Sequence, residues 1–283
     1  MELQTKILES IASIQKAESL ALKYQDYGFY LAFSGGKDSM VIYELCKMAG
    51  VKFKPVMNIT TLDYPELMRF VRENYPDVVF ERPEINFYKL IVKKRMLPMR
   101  TTRFCCAYLK ERGGAGTVTV LGIRKEESTK RAVRNELEIN GHKYSNSLDQ
   151  FNIDQDGQVL CLNGKDKIML LPILNWTFND VWKFIRERKL KYCELYDLGY
   201  QRIGCMFCPM HSNKLKALDR KRYPKVVKMI KNSISELIAQ GYPNELNDNV
   251  DDIFDWWSLN NPKIYTVDQY KKNKALPRLF DDI

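Results

Sequence analysis

Six consecutive residues, Ser34-Gly35-Gly36-Lys37-Asp38-Ser39, carry the densest chemistry in the 283-residue sequence. Two glycines let a backbone turn tightly and approach an anion without a Cβ in the way. A helix is expected to start near Ser39, where unpaired N–H groups and the helix dipole favour negative charge. Ser34 and Ser39 add hydroxyls, Lys37 adds positive charge, and Asp38 suits orienting the loop or holding Mg2+. The chemistry is that of a phosphate cradle. It is not the Walker loop, which needs Gly-Lys-Ser or Gly-Lys-Thr after a longer spacer. A glycine-rich turn that merely caps a helix is the bland alternative.

Four of the seven cysteines form two pairs, Cys105-Cys106 and Cys205-Met206-Phe207-Cys208, the second followed by Pro209. Four thiolates are what a [4Fe-4S] cluster or a structural zinc requires. Adjacent cysteines crowd a single tetrahedral zinc and bind different irons of a cubane more easily, so the iron–sulfur reading leads. Zinc, a redox disulfide between Cys205 and Cys208, and buried free thiols stay open. Cys46, Cys161 and Cys193 lie among apolar neighbours and read as core.

Composition limits the classes of function. The chain is 45% hydrophobic, without an apolar run near the roughly 20 residues that span a membrane. Its opening, MELQTKILES, lacks a charged-then-apolar signal, so reduced thiols and a cytoplasmic location are expected. The net charge is +10. Lys and Arg dominate from Asn86 to Glu136, and again from Lys214 to Lys231. Such fields attract polyanions, from nucleotide phosphates to nucleic acid, though the second cluster reads equally as a solvated helix face.

The elements that must position these groups follow from periodicity. Leu3, Ile7, Leu8, Ile11 and Ile14 predict an amphipathic helix over residues 2–24. Phe29 to Phe33 and Val51 to Ile59 read as strands, Met40 to Met48 and Leu67 to Asn74 as helices, and Thr117 to Ile123 as a strand. This alternation predicts an α/β fold, a doubly wound and mostly parallel sheet. Residues 135–168 are polar and read as a β-hairpin or surface insertion. Asp63 with Glu66, and Thr177 with Asp180, have capping-box spacing. Trp176 reads as core, and a helix follows from Asp180 to Arg188. The chain after Pro209 is basic and helical, and Trp256 with Trp257 would seal a helical cap or a dimer contact. The expected organisation is an N-terminal helix (residues 1–27), a nucleotide-binding domain with the cysteines (28–212) and a helical extension (213–283).

Over roughly residues 28–212 these pieces resemble the phosphoadenosine phosphosulfate reductase family of the PP-loop (adenine nucleotide alpha hydrolase-like) superfamily, iron–sulfur branch. The likeness rests on the Ser34–Ser39 loop, of the form SGGxDS, on Asp63-Tyr64-Pro65-Glu66 and on Cys105-Cys106. It continues through Gly122-Ile123-Arg124 with Glu127, Ser128 and Arg131, and through Pro172-Ile173-Leu174-Asn175-Trp176 with Asp180-Val181-Trp182. It ends at Gly199-Tyr200-Gln201-Arg202-Ile203-Gly204-Cys205. The resemblance implies that Ser34 to Ser39 hold phosphates and that Thr60, Thr61 and Gly122 help bind the nucleotide, with the two threonines at the adenosine. It implies that Arg124 and Arg131 contact phosphate or sulfate, and that Cys105, Cys106, Cys205 and Cys208 ligate the cluster. Lys37, Asp38, Arg124 and Arg131 are the expected catalytic set.

Two departures bear on the reaction. Reductases of this family use a cysteine near their C-terminus, and no cysteine follows Cys208 here. Their phosphate loop is usually degraded, whereas this one has the form of the ATP-cleaving relatives. Both favour ATP, with Mg2+, cleaved to AMP and pyrophosphate to activate an acceptor for sulfur transfer. The acceptor would be a nucleic acid or another molecule, and the sulfur or electron donor a cysteine desulfurase or a thioredoxin-like protein. A sulfonucleotide reductase releasing sulfite, and a nucleotide-binding regulatory protein without turnover, are the alternatives.

Overall fold

The computed structural model describes residues 2–139, 166–241 and 249–259. It divides into two compact units built from interleaved segments. The first comprises residues up to Ile59, Pro65–Arg82 and Glu111–Ile203; the second comprises Thr60–Tyr64, Pro83–Lys110 and the chain from Gly204 onward. Segments of the expected 28–212 region therefore occur in both. Among the described residues no helix is long and apolar enough to cross a membrane.

Among the described residues the first unit is a six-stranded sheet with helices. Helix α1 (Leu3–Tyr24) buries Leu3, Ile7, Ile14, Ala17 and Ala21, a stripe at helical spacing, and packs on α2 (Lys37–Ala49). Strand β1 (Phe29–Ala32) buries Phe29, Tyr30 and Leu31 in succession, the pattern of a strand covered on both faces. Strand β2 (Phe53–Asn58), helix α3 (Pro65–Asn74) and strand β3 (Val79–Glu81) complete one wing. The other wing has β4 (Val118–Val120), β5 (Leu137–Ile139) and β6 (Ile168–Leu170).

The strand order is β3-β2-β1-β4-β6-β5. All pairings are parallel except β5 with β6. The antiparallel β5–β6 pair frames the expected hairpin; its middle, residues 140–165 with Cys161, lies outside the described residues. The order reverses between β1 and β4. In open α/β sheets ligands bind at such a switch point, beyond the carboxyl ends of the strands. The phosphate loop leaves β1 there, and Gly122 and Arg124 follow β4.

After the one-turn helix α6 (Thr129–Ala132), helix α7 (Phe178–Glu187) packs on α2. Its start is the expected capping box: the Thr177 hydroxyl accepts from Asp180 N–H at 3.1 Å, and the Asp180 carboxylate accepts from Thr177 N–H at 2.7 Å. Lys6 of α1 also bonds Asp180. Trp176 is core, its indole N–H donating to Ser10 Oγ at 3.1 Å. Cys46 and Cys193 are buried, as their neighbours predict.

The second unit is helical. It holds α4 (Phe87–Lys94), α5 (Phe104–Leu109), α8 (Asn213–Arg222), α9 (Pro224–Ala239) and α10 (Val250–Leu259). Helix α9 packs on both α4 and α10, and α8 packs on α10. Trp256 and Trp257 are buried, and the Trp257 indole N–H donates to Pro98 O at 2.8 Å.

Candidate functional site

The phosphate loop is closed by its own side chains. Gly35 adopts φ +69°, and a Cβ there would lie 2.6 Å from Val71 and 2.7 Å from Leu67, so only glycine fits. Ser39 Oγ donates to Gly36 O at 2.8 Å and accepts from Ser34 N–H at 3.2 Å. Helix α2 then starts at Lys37 with its N-terminus at the loop. The fold thus delivers what the six-residue motif calls for: a helix N-terminus at the switch point of a parallel sheet.

The charged groups of the loop hold one another. Asp38 accepts from Lys37 Nζ at 2.9 Å and from Arg124 Nε at 2.8 Å, one carboxylate oxygen to each. Arg124 also pairs with Glu126 at 2.8 Å. Lys37 and Arg124 are almost fully buried. Gly122 makes the Asp38–Arg124 contact possible: a Cβ at that position would sit 2.9 Å from the Asp38 backbone, driving β4 away from α2. Arg131 pairs with Glu127, whose carboxylate also accepts Arg124 N–H at 3.0 Å. The structure therefore brings Lys37, Asp38, Gly122 and Arg124 to one point, and ties Arg131 to them through Glu127.

One residue at this point escaped the sequence reading. The Tyr196 hydroxyl accepts the Lys37 backbone N–H at 2.8 Å. Burial pushes its phenol above the ordinary range, so the hydroxyl stays protonated at neutral pH. Nothing in the spacing of Glu194-Leu195-Tyr196 signals this role; a tyrosine 159 positions away in sequence meets the loop only through the fold.

The four paired cysteines occupy the second unit, where they line one cavity with Thr60, Leu62, Lys110 and Trp257. Cys105 and Cys106 come from α5, and Cys205 and Cys208 from a turn in which Phe207 has φ +53°. Asp63 and Cys205 form an antiparallel bridge, and Met206 N–H donates to Leu62 O at 2.8 Å. Cys205 and Cys208 are thiols, not a disulfide. A hydrogen bond with Cys106, then burial, raises the Cys105 thiol; burial raises Cys205 against the pull of Lys110. The charge of Cys205 in turn raises the Lys110 ammonium, and burial lowers Lys216, which lies in the field of Cys208.

Thr60 and Thr61, expected at an adenosine, lie in this unit: Thr60 N–H donates to Asp63 at 2.7 Å, and Thr61 Oγ1 accepts Phe87 N–H at 2.9 Å. Asp63 is thus engaged with Thr60. Soft donors backed by two ammonium groups suit a cluster of net negative charge. As placed, no three His, Cys, Asp or Glu side chains among the described residues gather closely enough to hold a metal ion.

A fixed carboxylate shapes the cysteine turn. Asp219 of α8 is fully buried. It accepts from the Tyr64 hydroxyl at 3.0 Å and from Phe207 N–H, within the Cys205–Cys208 turn, at 3.0 Å.

A parallel sheet that presents this loop at its switch point defines a nucleotide-binding α/β domain of the PP-loop kind. Residues 28–211 match the phosphoadenosine phosphosulfate reductase domain, and the chain belongs to that family. An adenosine 5'-phosphosulfate reductase of Geobacillus kaustophilus is 28% identical over 67% of this chain and 77% of its own length. An uncharacterized protein of Methanocaldococcus jannaschii is 28% identical over 73% of this chain, which spans only 41% of that protein. Among solved structures, the FMN adenylyltransferase of Candida glabrata is 15% identical with a TM-score of 0.46, covering 72% of this chain and 61% of that one.

Proposed function

We propose that this chain is an enzyme that binds an adenylyl nucleotide on Ser34–Ser39 and cleaves ATP between the α- and β-phosphates to activate an acceptor for sulfur transfer. The observation that carries this reading is the Asp38 carboxylate, held between Lys37 and Arg124 at the start of α2. An acceptor oxygen attacks the α-phosphorus, the bond to the bridging oxygen breaks, and pyrophosphate leaves with the negative charge. The N-terminal end of α2 receives phosphate oxygens. Lys37 and Arg124 stand where charge builds on the leaving group, and such fixed charges are worth most in a site closed to water. Asp38 is the group that would hold Mg2+, which neutralises phosphate charge. A sulfur nucleophile then replaces AMP on the acceptor.

Cys105, Cys106, Cys205 and Cys208 are the residues that would hold a [4Fe-4S] cluster, with Lys110 and Lys216 as countercharges. Bound there, the cluster would either supply sulfur chemistry or brace the turn. The basic residues of the chain support a polyanionic acceptor.

A second reading, reduction of a sulfonucleotide, draws on the likeness to an adenosine 5'-phosphosulfate reductase. The test is to incubate anaerobically purified protein, Mg2+ and a reduced thioredoxin-like dithiol as electron donor with ATP, adenosine phosphosulfate or phosphoadenosine phosphosulfate. Pyrophosphate from ATP supports the first reading. Sulfite from either sulfonucleotide, without pyrophosphate, replaces it with the second.

A further inference from the structure

We propose that Tyr196 is a phosphate-binding residue of this site, its hydroxyl donating to an oxygen of the nucleotide's polyphosphate. The inference deepens the reading above and rests on it.

Three observations carry it. The Tyr196 oxygen sits at the mouth of the cradle: it accepts the Lys37 N–H, the first amide of α2, at 2.8 Å. A Cβ built on Gly36 would lie 3.5 Å from it. Second, an oxygen that accepts that N–H must aim its own proton elsewhere, and among the described residues no acceptor takes it. A donor so placed complements the loop, where the N–H groups of Ser34 and Gly36 already meet serine hydroxyls. Third, the ring is fixed. It meets Trp182 edge-on at 5.0 Å and Tyr192 at 6.2 Å, and it ends the 3-10 turn Glu194–Tyr196 next to the buried Leu195. A side chain packed in this way stays in place when an anion arrives, so it acts as part of the cradle and not as a plug that swings clear.

The ligand class follows from the chemistry. A neutral phenol donor beside Lys37 suits a di- or triphosphate oxygen, whose negative charge strengthens the bond in a way adenine and ribose cannot. The discriminating variant is Tyr196→Phe, which keeps the ring packing and removes only the hydroxyl. Equilibrium binding of ATP, inorganic pyrophosphate and adenosine is measured on the full chain with Mg2+, alongside thermal melting. A hydrogen bond to a charged oxygen makes the expected loss about tenfold or more for ATP and pyrophosphate. Adenosine binding stays unchanged, and the melting temperature falls only by the small cost of the one bond to the Lys37 N–H.

Unchanged or tighter ATP binding by the variant overturns the proposal; tighter binding identifies the hydroxyl as a competitor for the Lys37 N–H. An equal loss for ATP and adenosine with a lower melting temperature also overturns it, because the residue is then only packing. If the wild type itself binds neither ATP nor pyrophosphate, the nucleotide reading falls and this inference with it. A wild type that binds and a variant that binds equally well sink Tyr196 alone.

Discussion

Replacing Asp219 with alanine removes the one carboxylate that joins Tyr64, Phe207 and α8. Tyr64 Oη and Phe207 N–H each donate to it at 3.0 Å, and Asp219 is fully buried. Each hydrogen bond to a charged acceptor is worth about 1.5–3 kcal/mol, and both donors would lose that acceptor in a buried setting. His211 Nδ1, 3.8 Å from the carboxylate and without another hydrogen-bond partner among the described residues, gains nothing in exchange. The expected cost is therefore about 3–5 kcal/mol, the range for breaking a buried charged network. In a protein of this size that lowers the melting temperature by on the order of 10 °C. Asp219→Asn keeps one carbonyl acceptor and should cost roughly half as much, about 2 kcal/mol. Tyr64→Phe removes one donor and should cost about 1 kcal/mol. Urea unfolding of the three variants, followed by tryptophan fluorescence from Trp256 and Trp257 nearby in the unit, measures all of this. An Asp219→Ala protein within about 1 kcal/mol of wild type would refute the reasoning, because two buried donors cannot be abandoned so cheaply. A Tyr64→Phe, Asp219→Ala double variant no worse than Asp219→Ala alone is the expected sign of coupling.

Asp38→Asn should lower pyrophosphate release by on the order of 100-fold and also lower the melting temperature, since the buried Lys37 and Arg124 lose the charge they share; full activity would remove Asp38 from the chemistry. Cys208→Ser should bleach the brown colour and lower the iron content of anaerobically prepared protein, and a colourless wild type containing zinc would defeat the iron–sulfur assignment. Asp180 bears on acid stability. Burial opposes its charge, but the bonds from Lys6 and Thr177 outweigh this and hold its carboxyl below the ordinary 3.8. A depressed folded-state value stabilises the protein above the unfolded value and is lost as pH falls through the folded one. The stability gap between wild type and Asp180→Asn should thus be constant near neutral pH and close below about pH 4; a gap that persists into stronger acid would show that the box acts without the charge.

Local patterns carried much of the architecture. Apolar periodicity marked α1, the strands β1 and β2 and the helix α2, because 3.6-residue stripes and continuous apolar runs are written along the chain itself. The Ser34–Ser39 motif was legible for the same reason: a tight turn, a helix start and an anion site are all consequences of consecutive residues. Thr177 and Asp180 announced their capping box three residues apart. The strand after Thr117 came out shorter than its β-branched content suggests, ending at Val120, because Gly122 and Arg124 leave the sheet to meet Asp38.

What the chain could not state locally was which distant side chains meet. The pairing of Arg124 with Asp38 spans 86 positions, and that of Tyr196 with Lys37 spans 159. The first depends on β1 and β4 being neighbours in a parallel sheet, the second on the packing of α7 on α2. Likewise the two cysteine pairs proclaimed a shared purpose by residue type. Only the fold brought α5 and the 205–208 turn to one cavity, with Asp219 of α8 accepting the Phe207 N–H. Residue type and short spacing are properties of the sequence; the burial that gives an ion pair or a stranded hydroxyl its energy exists only once distant segments have excluded water together.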